Sequence, residues 1–137
     1  MFVLIAGGGN VGFSLARRLA GREHIVSLIE SDPAVAQAIA RVPGLLVTAG
    51  DACDPRVLEE ANVRRADVVA AVTGDDEDNF VVCQLAKEVF RVRRTVARVN
   101  NSRNARAFAE LGVDVPVDAP SVIASMIEEE VSFEEIA

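Results

Sequence analysis

Residues 2–12 read FVLIAGGGNVG, an apolar run followed at once by a glycine-rich turn. The glycines of a G-x-G-x-x-G pattern stand at Gly7, Gly9 and Gly12. The run has the length of a buried strand, and the residues after the turn follow helical spacing, which together predict strand, turn and helix. Gly7 permits the tight turn, Gly9 lets backbone N–H groups approach a pyrophosphate, and Gly12 allows the helix to pack closely on the strand. We therefore interpret the turn, whose helix N-terminus also favours anions, as a phosphate cradle.

The same alternation of apolar runs and helical segments continues along the chain. The runs are apolar throughout rather than at every second position, which is typical of strands buried on both faces of a parallel sheet. The predicted strands are FVLIA at 2–6, IVSLI at 25–29, LLVTA at 45–49, VVAAV at 68–72, TVARV at 95–99 and VDVPV at 113–117. Six strands with right-handed crossovers predict an α/β, doubly wound Rossmann fold whose parallel sheet has the order 3-2-1-4-5-6.

The helices between these strands have recognisable starts and stops. The Asp-Pro pairs at 32–33 and 54–55 each place a capping carboxylate before a proline in the first helical turn. A helix is predicted from about residue 10 to residue 20, with Gly21 as its C′ residue. Its apolar positions lie at spacings of four, at Val11, Leu15 and Leu19.

The last segment, residues 121–137, predicts a helix that follows an already complete sheet. Its glutamates, 128–130, lie mainly away from an apolar face. That face carries Val122, Ile123, Met126, Ile127 and Val131. The helix either covers its own sheet or crosses to a second subunit, and we favour a dimerising crossover helix.

Composition excludes several classes of protein. The 137 residues suffice for one domain, which we expect to span 1–137, but not for two. A net charge of −7 argues against a nucleic-acid binder or a membrane-surface protein, since both need a basic face. No apolar run approaches the length of a spanning helix, and the opening residues lack a basic leader, so we expect a cytoplasmic protein.

The residue types that the chain lacks limit its chemistry. The two cysteines, Cys53 and Cys83, make neither a disulfide framework nor a metal cluster, and we expect both to be buried or half-buried. The chain has no Tyr, no Trp and one His, which excludes a catalytic Tyr or a pair of His ligands within one subunit. We assign no catalytic residue and no metal ligand.

Glu30 ends the second predicted strand, 21 residues after Gly9. An acid at this spacing accepts hydrogen bonds from the ribose hydroxyls of an adenosine, and we place the adjacent Ser31 in the same site. A 2′-phosphate would meet Glu30 and Asp32 without a neighbouring Arg or Lys, so we expect the site to disfavour NADP. Asp32 itself is better explained as the helix cap described above.

Three further stretches follow predicted strands at the same end of the sheet. Asp51 and Ala52, within Gly50-Asp51-Ala52, either border the adenine or form a plain turn. Thr73 and Gly74 end the fourth strand, at the crevice where the strand order reverses and ligands bind. Arg98 lies inside an apolar run and needs an anionic partner, which is Asp51, another carboxylate or a ligand phosphate.

The acidic run at residues 75–78 precedes a predicted helix. Four carboxylates at that position suit either a cation site or the cap and dipole of the helix. Carboxylates before a helix more often serve the helix, so we favour the cap.

These motifs together resemble a known family. The glycine turn, IESDP, GDACD, AVTGDDEDN, ARVNN and LGVDVPVDAPS occur in the order found in the N-terminal nucleotide-binding domain of Trk/Ktr-type potassium uptake regulators and RCK domains. The resemblance runs from Met1 to about Val131. Because the motifs occur in the same order, the resemblance is far more specific than the glycine turn alone.

The resemblance implies a domain that senses NAD(H), ATP, ADP or AMP. It also implies a homodimer or ring that passes the state of the site to a membrane potassium transporter or channel, at the inner face of the membrane. By motif position, it implies that phosphates are held by Gly7, Gly8, Gly9, Asn10, Val11 and Gly12. Asn10 stands where many members carry Arg, which leaves the preference among NADH, ATP and ADP open. The smaller C-terminal domain usual in the family is missing, so we expect a fragment or a single-domain member.

Two hypotheses for the function differ in class. The first is a regulatory nucleotide-binding module, in which no bond is broken. The second is an NAD-dependent oxidoreductase, which only the fold supports, because the chain lacks a substrate domain, a Tyr and a well-placed His or Lys. We favour the regulator. A dimerisation module without a working site is a third interpretation.

Overall fold

The computed structural model describes residues 1–136, and a sheet of six parallel strands forms its centre. The strands are β1 (Phe2–Ala6), β2 (Ile25–Glu30), β3 (Leu45–Ala49), β4 (Val68–Ala71), β5 (Arg94–Val99) and β6 (Val115–Asp118). Their order across the sheet is β3-β2-β1-β4-β5-β6, which confirms the predicted doubly wound topology. The order reverses between β1 and β4.

Four of the predicted strands differ from the observed ones at their ends. β2 continues to Glu30, which pairs with Ala49 of β3. β4 ends one residue early, and β5 begins one residue early. The largest shift is in β6, because Val113 donates its N–H to Phe108 and so belongs to the turn before the strand.

Helices cover both faces of the sheet. They are α1 (Asn10–Ala20), α2 (Pro33–Ala40), α3 (Pro55–Glu60), α4 (Asp76–Gln84), α5 (Ala105–Glu110) and α6 (Ala119–Ile136). Short 3₁₀ turns precede β4 and α5, and a π-helical turn continues α4. Both predicted Asp-Pro caps are confirmed: Asp32 accepts from the N–H groups of Ala34 and Val35, and Asp54 from that of Arg56.

Leu15 and Leu19 of α1 pack against an apolar core as predicted, but Val11, the third position of the predicted apolar face, does not. Val11 is 45% exposed, whereas Gly12 and Ala16 are the buried residues of the helix. Small residues face the sheet because they let the helix axis approach it closely. The helix ends at Ala20 as predicted, but the prediction for Gly21 was wrong, since it keeps a right-handed φ of −67° and the left-handed conformation falls on Glu23.

Successive side chains of the central strands alternate between two apolar cores. On β1, Leu4 faces the core shared with α3, α4 and α5, and Ile5 faces the core shared with α1 and α2. Both side chains are completely buried. Burial on both faces is the reason why the strands read as continuous apolar runs. Cys83 lies in the first of these cores and Cys53 is partly buried at its edge, as expected.

The terminal helix α6 leaves its apolar face uncovered. The Asp118 carboxylate accepts from the N–H of Ser121 at 3.2 Å and so caps the start of the helix. The exposed apolar residues, between 46% and 66% accessible, are Val122, Ile123, Met126, Ile127 and Val131. The alternative in which α6 covers its own sheet is therefore wrong for this chain. Within residues 1–136, none of the helices combines the length and apolarity needed to cross a bilayer.

Candidate nucleotide-binding site

A cavity of about 270 Å³ opens at the carboxyl ends of the strands, at the reversal between β1 and β4. Residues that follow four neighbouring strands meet there, because all the strands point the same way. Gly7 comes from the end of β1, Glu30 from β2, Thr73 from β4 and Arg98 from β5. This is the crevice in which ligands of doubly wound sheets bind.

Eleven of the thirteen residues predicted for the site line this cavity. They are Gly7, Gly9, Asn10, Val11, Glu30, Ser31, Asp51, Ala52, Thr73, Gly74 and Arg98. Gly8 and Gly12 do not reach the cavity. Both are buried behind the turn, where their roles are structural.

Backbone geometry explains the glycines of the turn. Gly7 has a φ of +113°, a conformation that residues with a Cβ rarely adopt. A Cβ added to Gly7 would also lie only 3.1 Å from the backbone nitrogen of Thr73, which is closer than most Cβ contacts. Gly7 in turn donates its N–H to Ile29 at 2.8 Å, which holds the turn against β2.

The N-terminus of α1 is not capped by a side chain. Gly9 occupies the N-cap position, and no side-chain hydrogen bond satisfies the first N–H groups of the helix. Gly9, Asn10 and Val11, at this end of the helix, line the cavity. Uncapped N–H groups together with the helix dipole make this end of the cavity suitable for an anion.

The Glu30 carboxylate lies beside the glycine turn and is held by two backbone N–H groups. Oε1 accepts from Gly8 at 2.8 Å and Oε2 accepts from Asp32 at 2.7 Å. Oε2 also receives a long contact from the Ser31 hydroxyl, at 3.5 Å. Each carboxylate oxygen has two acceptor sites, so Oε1 keeps one for a ligand, and a ligand hydroxyl can replace that of Ser31 on Oε2. The residue thus both fixes the turn and presents acceptors to the cavity.

Asn79 joins the β4 and β5 walls of the cavity. It is completely buried in α4, and its amide donates to the carbonyl oxygens of Thr73 at 3.0 Å and Arg98 at 2.9 Å. Its carbonyl oxygen accepts from the Thr73 N–H at 2.9 Å and hydroxyl at 2.6 Å. No local pattern in the sequence assigns this role, because Arg98 is 19 residues away along the chain.

Two acids of the run at residues 75–78, Asp75 and Asp76, form hydrogen bonds within the protein. Asp75 is the N-cap and accepts from the N–H of Asp78, as the cap interpretation predicts. Asp76 instead reaches the loop after β5, where it accepts from the N–H groups of Asn100 at 2.7 Å and Asn101 at 2.9 Å and from the Asn104 amide at 2.8 Å. Burial alone would raise the pKa of Asp76, but these hydrogen bonds outweigh it and hold the pKa below its ordinary value.

Arg98 has no ion-pair partner among the described residues. Its buried Nε lacks a hydrogen-bond acceptor, although the side chain lines the cavity. Neither Asp51, whose Oδ1 accepts from the N–H of Cys53 at 2.8 Å, nor another carboxylate of the described residues forms an ion pair with Arg98.

Six wall residues carry no sequence signal of their own. They are Ile29, Gly50, Cys53, Val72, Asp78 and Val82. The Cys53 thiol contacts the Asp78 carboxylate at 3.7 Å. Burial, with the negative charges of Asp51 and Asp78, raises the pKa of this thiol to about 12, so it stays protonated. Across the described part of the chain, no group of His, Cys, Asp or Glu side chains is placed to hold a metal ion.

Solved structures share this fold. The TrkA-N domain of inner membrane protein ybaL from Escherichia coli superposes with a TM-score of 0.86 at 18% identity, covering 93% of this chain and 94% of that one. The GsuK channel bound to NAD gives 0.75 at 22% identity over 85% of this chain and 21% of the channel, and it has also been solved with ADP. The AMP-bound Kef CTD of Shewanella denitrificans gives 0.81 at 21% identity, covering 97% and 81%.

Sequence comparison is more specific. The Trk system potassium uptake protein TrkA of Mycobacterium tuberculosis is 45% identical over 134 residues, 97% of this chain and 60% of that protein. The TrkA homolog of Methanothermobacter thermautotrophicus is 36% identical over the whole chain and 63% of its own length. The chain therefore spans about six tenths of these relatives, at 60% and 63%. The model of the TrkA-N domain matches residues 3–119, and the chain belongs to the TrkA-N family.

Proposed function

We propose that this chain is the regulatory nucleotide-binding domain of a potassium uptake or potassium channel system. A bound adenine nucleotide favours one arrangement of subunits over another, and no bond is broken. The observation that carries the proposal is the cavity between the uncapped N-terminus of α1 and the Glu30 carboxylate. The names of the relatives, and the NAD, ADP and AMP bound by neighbours of the same fold, support it.

The ligand lies across the strand reversal in this proposal. Its phosphates bind the glycine turn, and its ribose hydroxyls bind Glu30 beside Ser31. Asp51 and Ala52 border the adenine. Thr73, Gly74 and Arg98 border the phosphate or nicotinamide side, where the unpaired Arg98 Nε gains an acceptor.

The charge around Glu30 favours NAD(H), ATP, ADP or AMP over NADP. A 2′-phosphate would lie against the Glu30 carboxylate and close to Asp32. The lining of the cavity contains one cation, Arg98, and it comes from β5 rather than from β2. A second phosphate at the ribose would therefore be repelled without being paired.

The chemistry of the cavity wall favours binding over hydride transfer. The residues that line it include no His, Lys or Tyr, the groups that most often transfer protons to carbonyl substrates. Cys53 is held in its protonated form and is not an active nucleophile. We assign no catalytic role to any residue.

The exposed face of α6 supports a proposal for assembly. We place residues 1–137 in one nucleotide-binding domain whose residues 121–137 pair with a second copy, in a dimer or a larger ring. Such a ring would contact a membrane potassium transporter or channel on the cytoplasmic side. The apolar face of an 18-residue helix, exposed along its described length, is the surface that this pairing would cover.

Isothermal titration calorimetry tests the nucleotide site. We expect the purified chain to bind at least one of NADH, ATP, ADP and AMP, and to bind NADPH much more weakly than NADH. Glu30→Ala should weaken binding of every adenosine ligand about tenfold or more, because the ribose loses two charge-assisted hydrogen bonds. Glu77→Ala, an exposed acid outside the cavity, is the matched control. No heat of binding at millimolar ligand, or unchanged affinity in Glu30→Ala, would contradict the assignment.

A further inference from the structure

One side of the cavity has the composition of a slot for a flat ring. Ile29, Ala52 and Val82 supply apolar surface there, and Ala52 and Cys53 pack against the core cluster that contains Ile29 and Val82. The slot lies one strand beyond Glu30, towards the loop after β3. With the ribose at Glu30, a purine base attached to it reaches this slot.

Two carboxylates and one thiol form the polar end of the slot. Asp51 and Cys53 come from the loop after β3, whereas Asp78 comes from the first turn of α4. The Asp51 carboxylate is turned back on its own loop by the hydrogen bond from the Cys53 N–H, at 2.8 Å. The Asp78 carboxylate receives only the long contact from the Cys53 thiol, at 3.7 Å, among the described residues. Each carboxylate thus accepts one contact from Cys53, but the thiol is the weaker donor, so Asp78 is the carboxylate that is held less firmly and can turn to a ligand.

We propose that Asp78 accepts a hydrogen bond from the 6-amino group of the bound purine and so selects adenine over 6-oxo purines. This inference rests on the proposed function. An ionised carboxylate has acceptors only, and the amino group of adenine is a donor. The 6-carbonyl of hypoxanthine or guanine is an acceptor. The carbonyl oxygen and the Asp78 carboxylate would then face each other without a hydrogen between them. Asp78 is exposed in the free chain, and a bound purine would cover it. A covered carboxylate that faces a carbonyl without a donor disfavours that ligand.

Calorimetry with ADP and IDP tests the proposal, because the two nucleotides differ only at C6 and the neighbouring ring nitrogen. We expect the wild-type chain to bind ADP about tenfold or more tightly than IDP. Asp78→Asn should bring this ratio close to one, because an amide can accept from an amino group or donate to a carbonyl. Thermal unfolding of each variant establishes that the compared proteins are folded.

Two matched variants locate the effect. Glu77→Gln removes the same charge from the same helical turn outside the cavity and should leave the ADP to IDP ratio unchanged. Asp51→Asn should weaken both nucleotides together by loosening the loop, and so keep the ratio. Three results would overturn the role of Asp78 while leaving the nucleotide site intact. They are an unchanged ADP to IDP ratio in Asp78→Asn, a ratio near one in Asp51→Asn alone, and equal binding of ADP and IDP by the wild type. Absence of any binding of ADP, NADH, ATP and AMP would overturn the proposed function together with this inference.

Discussion

A Cβ atom built on Gly12 would stand 1.7 Å from the carbonyl oxygen of Gly7, whereas one built on Gly9 would meet nothing within 4 Å. Gly9 has a φ of −72°, which any residue adopts. The protein fold therefore requires the glycine at 12 but not the glycine at 9. If position 9 must be glycine, the reason is the ligand, which approaches the backbone where a methyl group would project.

These two glycines can be separated by experiment. We expect Gly12→Ala to lower the free energy of unfolding by about 3 kcal/mol or more, since the helix must move away from the turn. Gly9→Ala should change it by less than about 1 kcal/mol but weaken ADP binding about tenfold or more, because the methyl group occupies the space that a phosphate needs. Urea unfolding and calorimetry measure the two quantities. Unweakened binding in Gly9→Ala would place the phosphates elsewhere.

Asn79 is the buried polar residue on which both cavity walls depend. Asn79→Ala would remove the side-chain partner of the half-buried Thr73 N–H and Arg98 carbonyl. We expect a loss of about 2–4 kcal/mol in the free energy of unfolding, from about 1–3 kcal/mol for each unsatisfied group. Denaturant unfolding measures it, with the exposed Gln37→Ala as a control that should change little. A loss below about 1 kcal/mol would show that these groups find other partners.

At the scale of elements, Asp76 connects the start of α4 to the loop after β5. Its pKa is lower in the folded protein than the ordinary value of 3.8. A carboxyl with a lowered folded pKa contributes its stability above the unfolded pKa and loses it as the pH falls through the folded pKa. The connection between α4 and the loop is therefore present at neutral pH and weakens below about pH 4.

We expect Asp76→Asn to lower the free energy of unfolding by about 1–3 kcal/mol at pH 7. The amide NH₂ of the new side chain would face the N–H groups of Asn100 and Asn101, which need an acceptor. The difference from wild type should shrink as the pH falls below about 4, where the wild-type carboxyl also becomes protonated. Chemical unfolding at a series of pH values measures the difference. Glu77→Gln, in the same turn but without these hydrogen bonds, should show no such dependence. A constant difference from pH 7 to pH 3 would mean that the charge of Asp76 does not matter.

For the whole molecule, α6 presents an apolar face that the described part of the chain does not cover. Ile123→Glu together with Met126→Glu places two charges on that face and should convert an oligomer into a monomer, because burying unpaired charges is unfavourable. Static light scattering measures the mass. Ser125→Glu, on the opposite side of the helix, should leave the oligomer intact. An oligomer that survives the double substitution would place the subunit interface elsewhere.

Much of the site was predictable because a doubly wound sheet brings the residues after its strands to one edge. Gly7, Glu30, Thr73 and Arg98 lie at or near the ends of strands that are visible in the sequence, and all four line the cavity. Gly8, which the motif places with the phosphates, donates its N–H to Glu30 and does not line the cavity. This contact has no local signal in the sequence, since the two residues follow different strands.

The sequence by itself determined the order of strands and helices, the Asp-Pro caps and the phosphate turn, because each depends on residues a few positions apart. Only the tertiary structure decided that α6 leaves its apolar face exposed. It also decided that Asn79 bonds to Arg98, 19 residues away, and that Cys53 faces Asp78, 25 residues away. Such contacts depend on how closely separate helices and strands pack. Neither the periodicity of the sequence nor the spacing of its motifs determines the distance between two elements.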